Sequence, residues 1–157
     1  MAASAAFVLL PAVTHAVSAT PRTNEVVCEP GSTPDNPCRG TNGNDHIVGT
    51  SGDDYIVAGN GSDVVDAGDG NDTVFGNNGK DTLNGDGGDD TLSGGNGKDN
   101  VNGGDGNDTI EGNNGPDHLD GGHGPDQITC GDGSDTSSDG VSGDCEVDGS
   151  ADGSADS

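Results

Sequence analysis

Aromatic side chains are almost missing from this chain: one Tyr, two Phe and no Trp in 157 residues. Only 26% of the residues are apolar, so the thick oily core of an ordinary globular domain is excluded. Lys and Arg together number four against 29 Asp and Glu, which sets the formal charge at -25. A surface that acidic repels nucleic-acid backbones and anionic membranes alike. No C-x-x-C occurs among the four cysteines, which removes the spacing of a zinc ribbon or a dithiol redox motif. After the first twenty positions no segment approaches the roughly 20 apolar residues that span a bilayer. There is no nucleophile elbow and no Ser/His/Asp spacing, and nothing resembles an open metal–water site standing apart from the rest. The reading is therefore no enzyme. By composition alone, the chain is a disordered acidic tract.

Against these absences stand 31 glycines, and they are in phase. From Gly40 to Ser138 the chain is one nine-residue unit written eleven times without a gap. The first row reads GTNGNDHIV and the eighth GGDGNDTIE. Place four is Gly in every row, from Gly43 to Gly133. Place six is always Asp: Asp45, Asp54, Asp63, Asp72, Asp81, Asp90, Asp99, Asp108, Asp117, Asp126 and Asp135. Place eight is Ile, Val or Leu in ten rows and fails only at Ser137. Disorder needs no phase, and this one persists over 99 residues.

Within a row the first six places are turn-forming and the last three strand-forming. Gly at place four, and often at one or two, permits backbone conformations closed to other residues. Places seven to nine, as in Thr73-Val74-Phe75, send one apolar side chain inward and its neighbours outward. Stacked rows then bury a column of Ile47, Ile56, Val65, Val74, Leu83, Leu92, Val101, Ile110, Leu119 and Ile128. Glycine at this density excludes helix. The column is too thin to offset the entropy of ordering the chain, and rows of aspartate repel one another. A hard divalent cation answers both deficits. Carboxylates and backbone carbonyls are the oxygen donors that Ca²⁺ takes, whereas Mg²⁺ demands tighter octahedral geometry and Zn²⁺ wants His or Cys.

The rows match GGxGxD-x-U-x, with U a large apolar residue, and over residues 40–138 the chain resembles the RTX, or haemolysin-type, calcium-binding repeat proteins, especially their small secreted stand-alone members. The resemblance implies an all-β fold, a parallel β-roll or right-handed β-solenoid of eleven nine-residue turns, and the two flanking Cys pairs are expected to give it disulfide-stapled ends. It implies ions held between rows n and n+2, with each sixth-place Asp helping to bind them and some turn carbonyls adding ligands. One edge would pair Asp45, Asp63, Asp81, Asp99, Asp117 and Asp135; the other, Asp54, Asp72, Asp90, Asp108 and Asp126. Five gaps and four imply about nine Ca²⁺, which would take the formal charge from -25 to about -7. Binding and folding are then one event, at the affinities of roughly 10⁻⁴–10⁻³ M typical of extracellular modules.

Residues 1–19 read as a signal peptide with an apolar centre from Ala5 to Val13 and a cleavage site at Val17-Ser18-Ala19, although no Lys or Arg precedes the apolar run. The expected localisation is secreted, with attachment to the cell surface left open, as a monomer whose protein or surface partner is unspecified. Residues 20–39 read as an irregular N-terminal cap in which Cys28 and Cys38 would close a loop. Residues 139–147 read as a C-terminal cap that a Cys130–Cys145 bridge would staple, and 148–157 as a disordered acidic tail.

Some positions depart from the pattern. Ala58, Ala67 and Cys130 replace Gly at place one, and Thr41, Thr50, Asn77, Asp86 and Asn113 replace it at place two. Asn and Asp tolerate left-handed backbone better than Thr does. His46, His118 and His123 are expected to face solvent, Lys80 and Lys98 to soften local acidity, and Tyr55 and Phe75 to pack half-exposed. Thr73, Thr82, Thr91 and Thr109 share place seven, which keeps a Ca²⁺-dependent ice-binding or adhesion solenoid as an alternative. A detached repeat domain of a larger RTX toxin or hydrolase is the other, against which the signal-like start and the two Cys pairs argue.

Overall fold

The computed structural model describes residues 24–138 and 146–147, and every regular element among them is a strand. In chain order these are β1 (Asn24–Val27), β2 (Cys38–Arg39), β3 (Asp45–Val48), β4 (Tyr55–Gly61), β5 (Val64–Asp69), β6 (Thr73–Gly79) and β7 (Thr82–Gly87). They continue as β8 (Thr91–Gly97), β9 (Asn100–Asp105), β10 (Thr109–Asn114), β11 (His118–His123), β12 (Gln127–Asp132), β13 (Thr136–Ser137) and β14 (Glu146–Val147). One sheet has the order β1-β3-β5-β7-β9-β11-β13-β14 and the other β12-β10-β8-β6-β4-β2. From β1 to β13 alternate strands thus go to alternate sheets, and the pairing is parallel, as in β4 on β6 and β5 on β7.

The register corrects the turn count. Thr73 lies opposite Thr91 and Thr91 opposite Thr109, so a winding takes eighteen residues and each nine-residue row is half of one. Eleven rows therefore make between five and six windings rather than eleven turns. The reason is where the chain reverses. β4 holds places seven to nine of one row and places one to four of the next, so the glycine-rich half is mostly strand. Only the region around places four to six turns the corner, and two corners are needed to come back on itself.

The aliphatic residues of place eight form two facing columns, five from each sheet. Ile47, Val65, Leu83, Val101 and Leu119 come from one sheet and Ile56, Val74, Leu92, Ile110 and Ile128 from the other, all at most 1% exposed. Beside them place one is also interior, filled by Gly or by the buried Ala58, Ala67 and Cys130. A Cβ at Gly95, whose φ is +111°, would meet the carbonyl oxygen of Asn77 in the winding below, so side chains there are sterically refused. Outside, Asn42, Asn60, Asn78, Asn96 and Asn114 form an amide ladder of four bonds, the side-chain nitrogens of the last four each 2.8–2.9 Å from the oxygen below.

The leader is more regular than residues 20–39 suggested. β1 lies on β3 with Val26 opposite Ile47, and β2 lies on β4 with Cys38 opposite Ile56. Val26 and Cys38 are buried and continue both columns, which covers the first row as a partial winding. The Cys28–Cys38 disulfide closes it. At the far end β13 pairs with β14, and Cys130 is disulfide-bonded. Cys145, the expected signal peptide and the expected acidic tail lie outside the described residues.

Candidate metal centre

The corners at places four to six bring the sixth-place aspartates into two files, one along each edge of the roll. Ten of the eleven are at most 3% exposed, and Asp126 is half-buried. Along one edge the backbone N–H of Asp45 donates to Oδ1 of Asp63, and Asp63 to Asp81, Asp81 to Asp99, Asp99 to Asp117 and Asp117 to Asp135. Along the other the same bond runs through Asp54, Asp72, Asp90, Asp108 and Asp126. All nine bonds are 2.7–2.9 Å long and link residues eighteen apart. The two files are the two edges expected from the sequence.

Only one oxygen of each carboxylate is used in this way. Oδ2 of Asp63, Asp72, Asp81, Asp90, Asp99, Asp108, Asp117, Asp126 and Asp135 is buried without a hydrogen-bond partner. A buried, unpaired carboxylate oxygen is costly unless a positive charge meets it. Burial accordingly pushes Asp90 up to about 7 and Asp72, Asp81 and Asp117 up to about 6. The amide bond to Oδ1 works against that shift, and the carboxylates of adjacent windings add to it. Asp63, Asp99 and Asp108 are raised for the same leading reason.

Backbone oxygens lie beside these orphaned atoms. A Cβ placed on Gly76 would stand 2.7 Å from Asp81 Oδ2 and 2.5 Å from the Gly94 carbonyl oxygen. On Gly94 it would stand 2.8 Å from Asp99 Oδ2 and 3.0 Å from the carbonyl oxygen of Gly112. In rows five to nine, glycine at place one therefore leaves a carboxylate and a carbonyl side by side with no Cβ between them, whereas rows three, four and eleven carry Ala58, Ala67 and Cys130 there. Among the described residues no three His, Cys, Asp or Glu side chains converge on one point. The atoms beside Oδ2 in rows five to nine are instead backbone carbonyl oxygens, a donor type that suits a hard cation such as Ca²⁺.

Asp45 and Asp54 differ from the other nine. Asp45 Oδ2 accepts from the backbone N–H of Thr41 at 2.6 Å and its hydroxyl at 2.9 Å. Asp54 Oδ2 accepts likewise from Thr50 at 2.7 and 2.9 Å, and its Oδ1 accepts from the Ser32 hydroxyl at 2.8 Å. The sequence marks Thr41 and Thr50 only as departures from Gly, and Ser32 not at all. The available signal was Thr at place two, found only in rows one and two.

The remaining polar residues stay outside. His46 Nε2 lies 2.9 Å from Asp66 Oδ2, and His118 Nδ1 lies 2.9 Å from the Thr136 hydroxyl. Lys80 and Lys98 are exposed, and neither reaches a carboxylate among the described residues. Tyr55 and Phe75 are half-exposed and pack with ring centroids 5.5 Å apart. Thr73, Thr91 and Thr109 are in register on one sheet while Thr82 lies on the other, so the threonine file is only three long.

Comparison with curated proteins and with solved structures found no match for the chain. Comparison with protein families found the RTX calcium-binding nonapeptide repeat, a four-copy unit, over residues 39–74, 75–110 and 102–136. That span holds the files of buried aspartate and the glycine cradles beside them. By this match the chain belongs to the RTX calcium-binding nonapeptide repeat family, whose repeats bind Ca²⁺.

Proposed function

We propose that this protein is a secreted structural roll, without catalytic activity, that folds as it takes up about nine Ca²⁺ between its windings. The observation that carries the reading is the set of nine buried, partnerless Oδ2 atoms. There is one for each of the nine steps between aspartates eighteen residues apart. Nine of the eleven sixth-place aspartates, Asp63 to Asp135, would hold the ions through that oxygen, while Asp45 and Asp54, whose Oδ2 is already hydrogen-bonded, head their files. Carbonyls of place one, such as those of Gly94 and Gly112, would complete the oxygen set. Bound calcium supplies the positive charge that lets these carboxylates remain ionised inside the roll. The chain's own part is to aim Oδ2 into each cradle and to fix Oδ1 on the amide of the neighbouring winding.

Export is supported by the apolar segment at residues 1–19 and by the extracellular setting usual for RTX repeats. On this reading low cytosolic calcium leaves the chain loose for secretion, and higher external calcium sets it. The proposed division is a leader cap at 20–39, the roll at 40–138, a closing cap at 139–147 and an acidic tail beyond. Calcium titration by calorimetry together with circular dichroism tests the reading. We expect about nine ions and a gain of β-signal on binding. Unchanged β-content after chelation would end it.

A further inference from the structure

The nine aspartates with an orphaned Oδ2 are those of rows three to eleven, and the same nine rows share a backbone feature. At place two, Gly59, Gly68, Asn77, Asp86, Gly95, Gly104, Asn113, Gly122 and Gly131 all have positive φ, between +70° and +118°. Thr41 and Thr50, at the same place in rows one and two, do not. A β-branched residue is strongly disfavoured in that conformation. Instead each threonine folds its own N–H and hydroxyl onto the carboxylate four residues ahead. Its hydroxyl oxygen accepts the N–H of Gly43 or Gly52 and its proton points to the aspartate, in Thr50 at 2.9 Å against 3.2 Å to the Gly52 carbonyl oxygen. Ser32, from the disulfide-closed leader, covers Oδ1 of Asp54 and accepts the N–H of Tyr55.

We propose that Thr41, Thr50 and Ser32 take the place of calcium at the N-terminal end of the roll. They make the leader and rows one and two a metal-independent template onto which calcium adds the later rows. The inference rests on the calcium reading above and deepens it by dividing the file into nine carboxylates that need an ion and two that the protein satisfies. The place-two residue is what decides between them. Left-handed Gly, Asn or Asp leaves Oδ2 open, whereas Thr closes it. Both columns, the β1 and β2 pairings and the Cys28–Cys38 bridge converge on this same end. A nucleus held by donors of its own would give a repeat array a defined point from which to propagate.

Hydrogen exchange on the full chain, resolved by peptide, tests this in calcium-free and calcium-saturated buffer. In calcium-free buffer the amides of β3 and β4 are expected to exchange at least about tenfold more slowly than those of β8 to β11. With calcium all should be protected. The T41G/T50G variant, which permits left-handed backbone at both places, should lose the calcium-free protection and keep the calcium-saturated state. T41S/T50S, which retains both donors, should behave as the wild type. Should T41G/T50G fail to fold even with calcium, the wild-type exchange contrast and the serine variant still decide. Uniformly fast exchange without calcium, restored everywhere by calcium, would overturn the template and leave the calcium reading intact. Equal protection with and without calcium across β8 to β11 would instead defeat the calcium reading, and the template with it.

Discussion

Asp90 carries the central conflict of this molecule in one side chain. Its Oδ1 accepts the amide of Asp72, its Oδ2 has no partner, and burial among like charges pushes its pKa up to about 7. Asp90→Asn keeps the shape and removes the charge. It should lower the calcium count by about one and weaken uptake by neighbouring sites at least the roughly tenfold that loss of an outer ligand partner costs, as calorimetry would report. The same shifts set a pH dependence. The folded calcium-free roll holds protons on Asp72, Asp81, Asp90 and Asp117 more tightly than the unfolded chain does. Their contribution to stability is therefore present near pH 4 and lost as pH rises through about 6 to 7. Circular dichroism of the calcium-depleted protein should show β-structure increasing on acidification. The calcium midpoint should move to higher concentration over the same interval, because protons and calcium compete for the same oxygens. Loss of β-signal between pH 7 and pH 4 would contradict the sign.

At the scale of the strand, glycine acts in two different ways. Gly97 at the end of β8 has φ of +151°, and a Cβ there would overlap the carbonyl oxygen of Gly79 in the winding below. Gly87 at the end of β7 would bring its Cβ no nearer than 3.5 Å to anything, at Asp69 Oδ1. Gly97→Ala should thus cost more than about 2 kcal/mol of calcium-saturated stability, and Gly87→Ala less than about 0.5 kcal/mol. Urea unfolding of the two variants checks the contrast. Ile110 on β10 lies opposite both Leu92 and Ile128 and is fully buried. Ile110→Ala should cost about 2–5 kcal/mol in the same assay, because two thin columns leave no other apolar mass to fill the gap.

For the whole molecule, the roll is nearly one-dimensional, so its ends matter more than those of a globular domain. The leader closes one end through a ten-residue disulfide loop between Cys28 and Cys38. Replacing both cysteines by serine should remove about 2–3 kcal/mol, the entropic value of so short a loop, with the loss concentrated at β1 to β4. Thermal melts in saturating calcium, compared with exchange at those strands, would detect it. Even loss along the array would show that the leader does not act as a cap.

The aspartate files, the aliphatic positions and the class of metal were legible in the chain because each is a side-chain property repeated in phase. Asp at place six is acidic and Leu83 at place eight is apolar whatever surrounds them. The linear repeat could not say which stretches are strand, since Tyr55–Gly61 becomes one strand only when a neighbouring winding supplies its ladder. For the same reason Asn24–Val27 looked irregular until β3 lay beside it. The difference between Asp54 and Asp90 shows in the chain only as Thr50 against Asp86 at place two. Both stand at place six, and whether Oδ2 meets a threonine or nothing follows the sign of φ at place two, four residues earlier in the same row. Sequence determined the charges, the apolar period and the calcium-binding repeat. Tertiary structure alone decided the eighteen-residue winding and which carboxylate oxygens are left without a donor, because hydrogen-bond satisfaction belongs to pairs of groups and not to residues.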